Sequence, residues 1–109
     1  MIVDDHPSFR RFAARMLAAA GYEVVGEAPD AATALVEAKR LRPALVLLDV
    51  LLPDGNGIDI ADRLASEARI VLLTSSRAAS DLGSRLGTRA FVSKSDLTVK
   101  RLAALINGD

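Results

Sequence analysis

The sequence predicts an α/β fold in which helices cover both faces of a parallel sheet. Residues 44–48 and 70–73 are continuous apolar runs, a pattern typical of strands buried on both faces. Such runs alternate with amphipathic helical segments five times along the chain, which favours parallel strands joined by helical crossovers. A chain of 109 residues has room for one hydrophobic core, so we expect residues 1–109 to form a single domain.

The first half of the chain is predicted to contain two strands and two helices. Residues 1–3 form a short first strand, and Ser8 is expected to cap a helix that ends at Gly21. Residues 22–28 are predicted as the second strand, and Asp30 is expected to cap the second helix. The apolar stripe of the first helix consists of Phe9, Phe12, Ala13, Met16, Leu17 and Ala20.

The second half repeats this alternation and contains the strongest turn signal of the chain. The sequence Pro-Asp-Gly-Asn-Gly at residues 53–57 predicts a turn between a strand and a helix. The predicted elements are strands over residues 44–48, 70–73 and 90–92, and helices over residues 58–67, 78–86 and 97–106.

Composition and charge exclude several classes of function. The 14 lysines and arginines balance the 14 aspartates and glutamates, whereas a duplex-binding domain usually carries a basic excess, so we expect no direct nucleic-acid binding. The absence of cysteine excludes disulfides, zinc–thiolate sites and cysteine nucleophiles, and the single histidine excludes sites that need two imidazoles. No apolar run approaches the length of a membrane span and no signal peptide is visible, so we expect no membrane partner and a cytoplasmic location.

Polar residues follow four of the five predicted strands. Asp4 and Asp5 follow the first strand, Asp49 the third, Thr74 the fourth and Lys94 the fifth. Because the carboxyl ends of parallel strands meet at one edge of a sheet, we expect these side chains to converge. Three neighbouring carboxylates repel each other unless a cation neutralises them, and an oxygen-only ligand set suits Mg²⁺. With a lysine beside it, such a site can hold a phosphoryl group.

Each of these residues also has an ordinary structural interpretation. An aspartate pair is common in turns and helix caps, and a lone threonine or lysine carries little information. Asp49 carries more weight, because a charge directly after a buried apolar strand is costly unless it is paired or faces a cleft. The joint occurrence at four strand ends favours a functional site. His6 is interpreted as a residue at the start of the first helix, on the rim of that site.

Four segments, at residues 2–7, 47–57, 72–75 and 91–94, together resemble the receiver domain of bacterial two-component response regulators. The acidic pair, the spacing from Asp49 to Pro53 and Gly57, and the late lysine carry the resemblance. It is closest to receivers that precede a LuxR-type helix-turn-helix. It implies a flavodoxin-like (βα)5 three-layer sandwich with strand order 2-1-3-4-5, and a switch that regulates an output such as transcription.

The resemblance also implies roles for individual residues. Asp49 would accept a phosphoryl group from a phosphohistidine of a sensor histidine kinase. Asp4, Asp5, Asp49 and the backbone carbonyl of Leu51 would bind Mg²⁺.

Phosphate binding and switching would fall to a second set of residues. Lys94, Thr74 and Ser75 would contact the phosphoryl oxygens. Thr74 and Phe91 would form the switch, with the aromatic ring turning inward when the threonine moves.

The chain departs from this family in ways that bear on its partners. The first strand is shortened, as is the region of the third and fourth helices, where Gly83 and Gly87 lie. The family's usual dimer face consists of the fourth helix, fifth strand and fifth helix. Because the fourth helix is shortened here, the sequence leaves two arrangements open, a homodimer through that face and an atypical exchanged dimer. We expect no output domain within residues 1–109.

Two alternatives remain open from the sequence. The first is a binding or oligomerisation module of the same fold that acts independently of phosphorylation. The second is a metal-dependent phosphatase with a nucleophilic aspartate. The phosphatase is disfavoured because such enzymes usually need a second aspartate two residues after the first, where this chain has Leu51.

Overall fold

A five-stranded parallel sheet forms the centre of the computed structural model, which describes residues 1–107. Its strands are β1 (Ile2–Val3), β2 (Glu27–Ala28), β3 (Leu45–Asp49), β4 (Ile70–Ser75) and β5 (Phe91–Ser93). They lie in the order β2-β1-β3-β4-β5, and every neighbouring pair is parallel. This order confirms the predicted 2-1-3-4-5 topology, and it brings the carboxyl ends of all five strands to one edge.

Helices follow the strands in sequence and cover both faces of the sheet. They are α1 (Pro7–Ala19), α2 (Ala31–Leu41), α3 (Gly57–Leu64), α4 (Ala79–Leu82) and α5 (Val99–Asn107). Between β3 and α3, Leu51–Leu52 pairs in antiparallel fashion with Gly55–Asn56 and forms a short hairpin. Two single turns of 3₁₀-helix, Gly83–Arg85 and Lys94–Asp96, follow α4 and β5.

The strand β3 divides the core into two halves, one on each face of the sheet. Leu47 packs with the buried side chains of α1 and α5, whereas Val46 and Leu48 pack with those of α2 and α3. Because successive side chains of a strand point to opposite faces, a strand covered on both sides must be apolar throughout. The first four residues of β3 are buried and apolar, which explains the apolar run of the sequence, and the strand ends in the buried Asp49.

Two predicted helix ends are confirmed. The Asp30 side chain accepts a hydrogen bond from the Thr33 N–H at 2.7 Å and caps α2. Gly21 follows α1 with a φ of +92°, a backbone conformation that favours glycine.

The start of the chain differs from the prediction in three places. His6, not Ser8, occupies the N-cap position of α1, because Pro7 takes the first helical position, where its missing N–H costs nothing. Phe12 is 47% exposed rather than part of the core. The second strand covers Glu27–Ala28 instead of residues 22–28, since the two residues of β1 pair only with these two.

The predicted shortening of the first strand and of the region of the third and fourth helices is confirmed. The first strand has two residues, α3 ends at Leu64 rather than residue 67, and α4 is a single turn of four residues. Gly83 follows α4 with a φ of +62°, so the helix ends where glycine was expected to interrupt it. Within residues 1–107, no helix is both long and apolar enough to span a membrane.

Candidate functional site

Three carboxylates meet at the carboxyl edge of the sheet, as the strand ends predict. Asp4 follows β1, Asp5 is next to it, and Asp49 ends β3. One side-chain ligand atom from each of these aspartates and one from His6 all lie within 4.8 Å of one another. Asp4 and Asp49 are buried, whereas Asp5 and His6 are exposed at the rim. The cluster therefore opens to solvent on the side of α1.

Asp4 is held by contacts from two sides. The His6 backbone N–H donates to Oδ1 of Asp4 at 2.8 Å, and His6 Nδ1 lies 3.0 Å from the same oxygen. The Lys94 ammonium lies 2.7 Å from Oδ2. Burial favours the neutral acid, but the lysine and the hydrogen bonds outweigh burial and hold the pKa of Asp4 below its usual value. Asp4 therefore keeps its negative charge in the interior at neutral pH.

The negative charge of Asp49 has weaker stabilising contacts than that of Asp4. The Leu51 N–H donates to its Oδ1 at 3.3 Å, and Lys94 Nζ lies 3.4 Å from its Oδ2. Burial, followed by the negative charge of Asp4, raises the pKa of Asp49 to about 6. One lysine therefore serves two buried carboxylates, and it lies closer to Asp4.

The donor set fits a hard divalent cation. Its side-chain donors are carboxylate oxygens apart from the His6 ring, and they lie close enough for one ion to contact several of them. Although Lys94 is an ion-pair partner, no aligned hydrogen bond from residues 1–107 reaches the buried Oδ2 of Asp4. A cation would supply the positive charge that this oxygen and Asp49 share only with one lysine.

Thr74 and Ser75, at the end of β4, have different surroundings. Thr74 is the register partner of Asp49 in the parallel ladder, and its buried hydroxyl finds no hydrogen-bond partner within the described residues. The Ser75 hydroxyl accepts a hydrogen bond from the Arg77 N–H at 3.1 Å. Thr74 thus has an uncommitted donor beside the acidic cluster, while Ser75 also stabilises the turn after β4.

Phe91 begins β5, opposite Leu73 in the ladder. Its side chain is partly buried and packs against the core half that contains α2 and α3. Phe91, the aromatic residue of the predicted switch, therefore lies on the strand next to the one that carries Thr74. Its side chain is on the face of the sheet that α4 borders.

The hairpin after β3 carries Leu51, whose side chain is 54% exposed. The Asp54 carboxylate fastens the hairpin to the start of α2 by accepting from the N–H groups of Ala31 at 2.7 Å and Ala32 at 3.0 Å. These hydrogen bonds hold the pKa of Asp54 below its usual value. The hairpin that contains the backbone of Leu51 is thus held by hydrogen bonds to the start of α2.

Sequence reasoning missed the roles of two residues around this site. Phe9 was assigned only to the apolar stripe of α1, yet its ring centroid lies 4.2 Å from Lys94 Nζ. Asp54 was assigned only to a turn, yet it caps α2. For Phe9, its place one turn into a helix that begins beside the acidic pair was an available signal. For Asp54, no local pattern points to a partner 22 residues away.

Comparison with known proteins agrees with this geometry. Residues 1–107 match the family described as the response regulator receiver domain. The transcriptional regulatory protein PdtaR from Mycobacterium tuberculosis is 43% identical over 76 residues, which cover 68% of this chain and 37% of the relative. The nitrate/nitrite response regulator protein NarP from Escherichia coli is 42% identical over 86 residues, which cover 75% of this chain and 40% of the relative. The chain thus spans less than half the length of these relatives.

Solved structures give the same picture. A LuxR-family two-component response regulator from Aurantimonas sp. SI85-9A1 superposes with a TM-score of 0.82 at 28% identity, over 99% of this chain and 84% of the other. A response regulator from Burkholderia pseudomallei, solved with a phosphorylated aspartic acid, calcium ion and citrate, superposes with a TM-score of 0.81 over 96% of this chain and 64% of the other. At 21% identity, the second structure supports the fold alone.

Proposed function

This chain belongs to the family of response regulator receiver domains, and we propose that Asp49 is the residue on which it accepts a phosphoryl group. Receiver domains are signalling switches of two-component systems rather than classical enzymes. The observation that carries the assignment to Asp49 is its position: the carboxylate is buried at the end of β3 and shares the ammonium of Lys94 with the buried carboxylate of Asp4.

We propose Mg²⁺ as the divalent ion of the acidic cluster. Asp4, Asp5 and Asp49 would hold it, together with the backbone carbonyl of Leu51. Mg²⁺ takes a few carboxylates, keeps several waters and also binds phosphate oxygens, and it would neutralise charge on a phosphoryl group held at this edge. The support is the oxygen-rich donor set and the scarcity of positive charge around the two buried carboxylates.

The chemical step assigned to Asp49 is an in-line transfer. A carboxylate oxygen attacks the phosphorus atom of a phosphohistidine on a sensor kinase, and an oxygen–phosphorus bond forms. The phosphorus–nitrogen bond breaks, and its electron pair returns to the imidazole. Lys94 supplies positive charge to the phosphoryl oxygens, and the hydroxyl of Thr74 donates a hydrogen bond. Ser75 is a further proposed contact, through a hydroxyl that already accepts from Arg77.

The switch itself is proposed to involve Thr74 and Phe91. The buried Thr74 hydroxyl has no hydrogen-bond partner in residues 1–107, so a phosphoryl oxygen on Asp49 would offer it one. Movement of the threonine would change the space beside β5, where the partly buried Phe91 begins the strand. The signal is then a shift between two conformations at the end of the sheet.

The partners follow from the family and remain proposals. A sensor histidine kinase supplies the phosphoryl group, and the output is transcription, as the name of PdtaR indicates for that relative. We propose that residues 1–109 act as one receiver domain in the cytoplasm. A dimer would use the face of α4, β5 and α5 or an exchanged arrangement. A module that acts independently of phosphorylation is not favoured, because the family match covers residues 1–107 and includes the acidic cluster.

Acetyl phosphate provides a direct test. The protein is incubated with Mg²⁺ and acetyl phosphate, and its intact mass is measured. We expect the mass of one added phosphoryl group in the wild type and in Asp81→Asn, which changes an exposed aspartate of α4. The adduct should be lost in Asp49→Asn. An unmodified wild type, or an adduct that persists in Asp49→Asn, contradicts the proposal.

A further inference from the structure

The ammonium of Lys94 has three close neighbours, and one of them is aromatic. Its Nζ lies 2.7 Å from Asp4 Oδ2 and 3.4 Å from Asp49 Oδ2. The third neighbour is the ring of Phe9, whose centroid lies 4.2 Å from the same nitrogen. The lysine side chain is only 17% exposed, so these groups replace much of the water around the charge.

The position of Phe9 is fixed by the anchored start of α1 and by the packing of its ring against the core. Asp4 accepts from the His6 N–H directly before α1, and Pro7 starts the helix, so the first turn of α1 is anchored to the acidic cluster. Long helical side chains point back toward the helix N-terminus, which directs the ring of Phe9 toward that edge of the sheet. The ring is partly buried and packs against the core half that contains α1 and α5.

An aromatic ring in this place does more than fill space. The negative face of its π-system attracts a cation, and the attraction grows when water is excluded. Lysine needs such a guide more than arginine would, because its charge sits at the end of a flexible four-carbon stem. An aliphatic side chain at position 9 could make the apolar contact but would offer no complementary charge.

We propose that Phe9 is a positioning residue that holds the Lys94 ammonium between Asp4 and Asp49, ready to meet an incoming phosphoryl group. The inference rests on the proposed function of Asp49, but its geometric part stands apart from it. In the proposed reaction, Phe9 contributes no group to the attack on phosphorus or to the departure of the imidazole. It acts only through the lysine.

The geometric part is tested by nuclear magnetic resonance, without any phosphodonor. A ring held over an ammonium shifts the neighbouring ε-methylene protons upfield. The ε-methylene protons of Lys94 should therefore resonate upfield of the ε-methylene protons of the other two lysines. We expect the shift to disappear in Phe9→Leu and to persist in Phe9→Tyr. Phe12→Leu is the matched control: Phe12 lies on the same helix, is 47% exposed and has its ring centroid 6.2 Å from that of Phe9, so this change removes the neighbouring ring and leaves the ring over the ammonium in place. An unshifted lysine in the wild type, or a shift that survives in Phe9→Leu, overturns the inference.

The functional part is tested by the rate of phosphorylation with acetyl phosphate. Phe9→Leu should slow the rate by about 3- to 10-fold, the range expected for losing one partly desolvated cation–π contact. Phe9→Tyr should restore the rate, and Phe12→Leu should match the wild type. Thermal melting of each variant identifies losses caused by unfolding.

Phenylalanines with one to three ring fluorines at position 9 distinguish an electrostatic role of the ring from simple space filling. They keep the shape of the ring but weaken its negative face in steps. We expect the rate to fall with each fluorine, and rates that stay level across the series overturn the inference. A wild type that takes up no phosphate would contradict the proposed function instead, while the resonance experiment still decides where the lysine lies.

Discussion

Gly57 packs so closely against the carbonyl oxygen of Asp49 that no side chain fits between them. A Cβ at position 57 would overlap that oxygen and crowd the backbone of Val50. The Gly57 N–H also donates to the Val50 carbonyl at 2.7 Å. The first residue of α3 is therefore locked onto the last residues of β3, and the carboxylate of Asp49 is oriented by a contact with backbone atoms.

Gly57→Ala is expected to destabilise the fold by roughly 1–3 kcal/mol, because backbone atoms must move to admit the methyl group. The same shift should displace Asp49 and reduce phosphorylation by acetyl phosphate. Gly55→Ala is the matched control, since its added Cβ would meet open space among the described residues. Urea denaturation measures both variants, and equal losses of stability would contradict the expectation.

Asp49→Asn is expected to stabilise the protein near pH 7.5 in the absence of divalent ions. The folded state raises the pKa of Asp49 from 3.8 to about 6, so the folded protein binds more protons than the unfolded chain between these values. Stability therefore falls as the pH rises through this window. The amide avoids that cost, which is about 1–3 kcal/mol at neutral pH for a shift of this size.

The pH dependence provides the check. The stability gained by Asp49→Asn should shrink as the pH falls from about 6 and vanish below about 4, where the carboxyl is protonated in both states. Asp81→Asn, at an exposed position, should show no comparable trend. A gain that is constant with pH would show that burial of the charge at position 49 is not its source.

Thr74→Val is expected to keep or raise the free energy of unfolding. It should also abolish the response of the domain to phosphorylation, which is followed as the change in Tm when Mg²⁺ and beryllofluoride are added in place of a phosphoryl group. The hydroxyl is buried without a partner in the described chain, so replacing it with a methyl group removes a polar atom that costs up to about 1 kcal/mol. Thr74→Ser keeps the hydroxyl and should keep the response. The measurement is the change in Tm on adding Mg²⁺ and beryllofluoride, and a normal shift in Thr74→Val would contradict the assigned role.

Asp54→Ala is expected to weaken Mg²⁺ binding by up to about tenfold, because it releases the hairpin that carries the Leu51 carbonyl. Asp30→Ala is the comparison, since it removes the other cap of the same helix without touching the hairpin. Both variants should lower Tm, but only Asp54→Ala should change the midpoint of a Mg²⁺ titration. Equal midpoints would indicate that the hairpin needs no support from α2.

Much of the fold was predictable because the pattern of apolar residues along each segment agrees with the position of that segment in the sheet. The apolar run before Asp49 is buried on both faces, so the sequence pattern and the sheet position agree. Polar residues at successive strand ends had to converge once the strands were parallel. The cap at Asp30 and the backbone turn at Gly21 were likewise fixed by chemistry within a few residues of each position.

The errors lie where distant parts of the chain decide the outcome. Tyr22, Val24 and Val25 have strand-forming side chains, but the neighbouring β1 offers only two residues to pair with, and these pair with Glu27 and Ala28. Phe12 has the spacing of a core residue, yet it lies at the edge of the core, 47% exposed, with its ring centroid 6.2 Å from that of Phe9. The contacts of Phe9 with Lys94 and of Asp54 with Ala31 join positions 85 and 23 residues apart, and no pattern along the chain encodes them.

The ladder between Asp49 and Thr74 also has a practical consequence. The two residues are register partners, and the Val50 N–H donates to the Thr74 carbonyl at 2.9 Å, so the backbones of β3 and β4 hold each other in place beside the proposed phosphorylation site. A spectroscopic label near Ile70, at the start of β4 and away from the Thr74 side chain that is proposed to move, would therefore have a fixed origin when the state of Asp49 changes. Distances measured from such a label to α4 or α5 would report the displacement of those helices alone, which makes the sheet an internal reference frame for following the switch in solution.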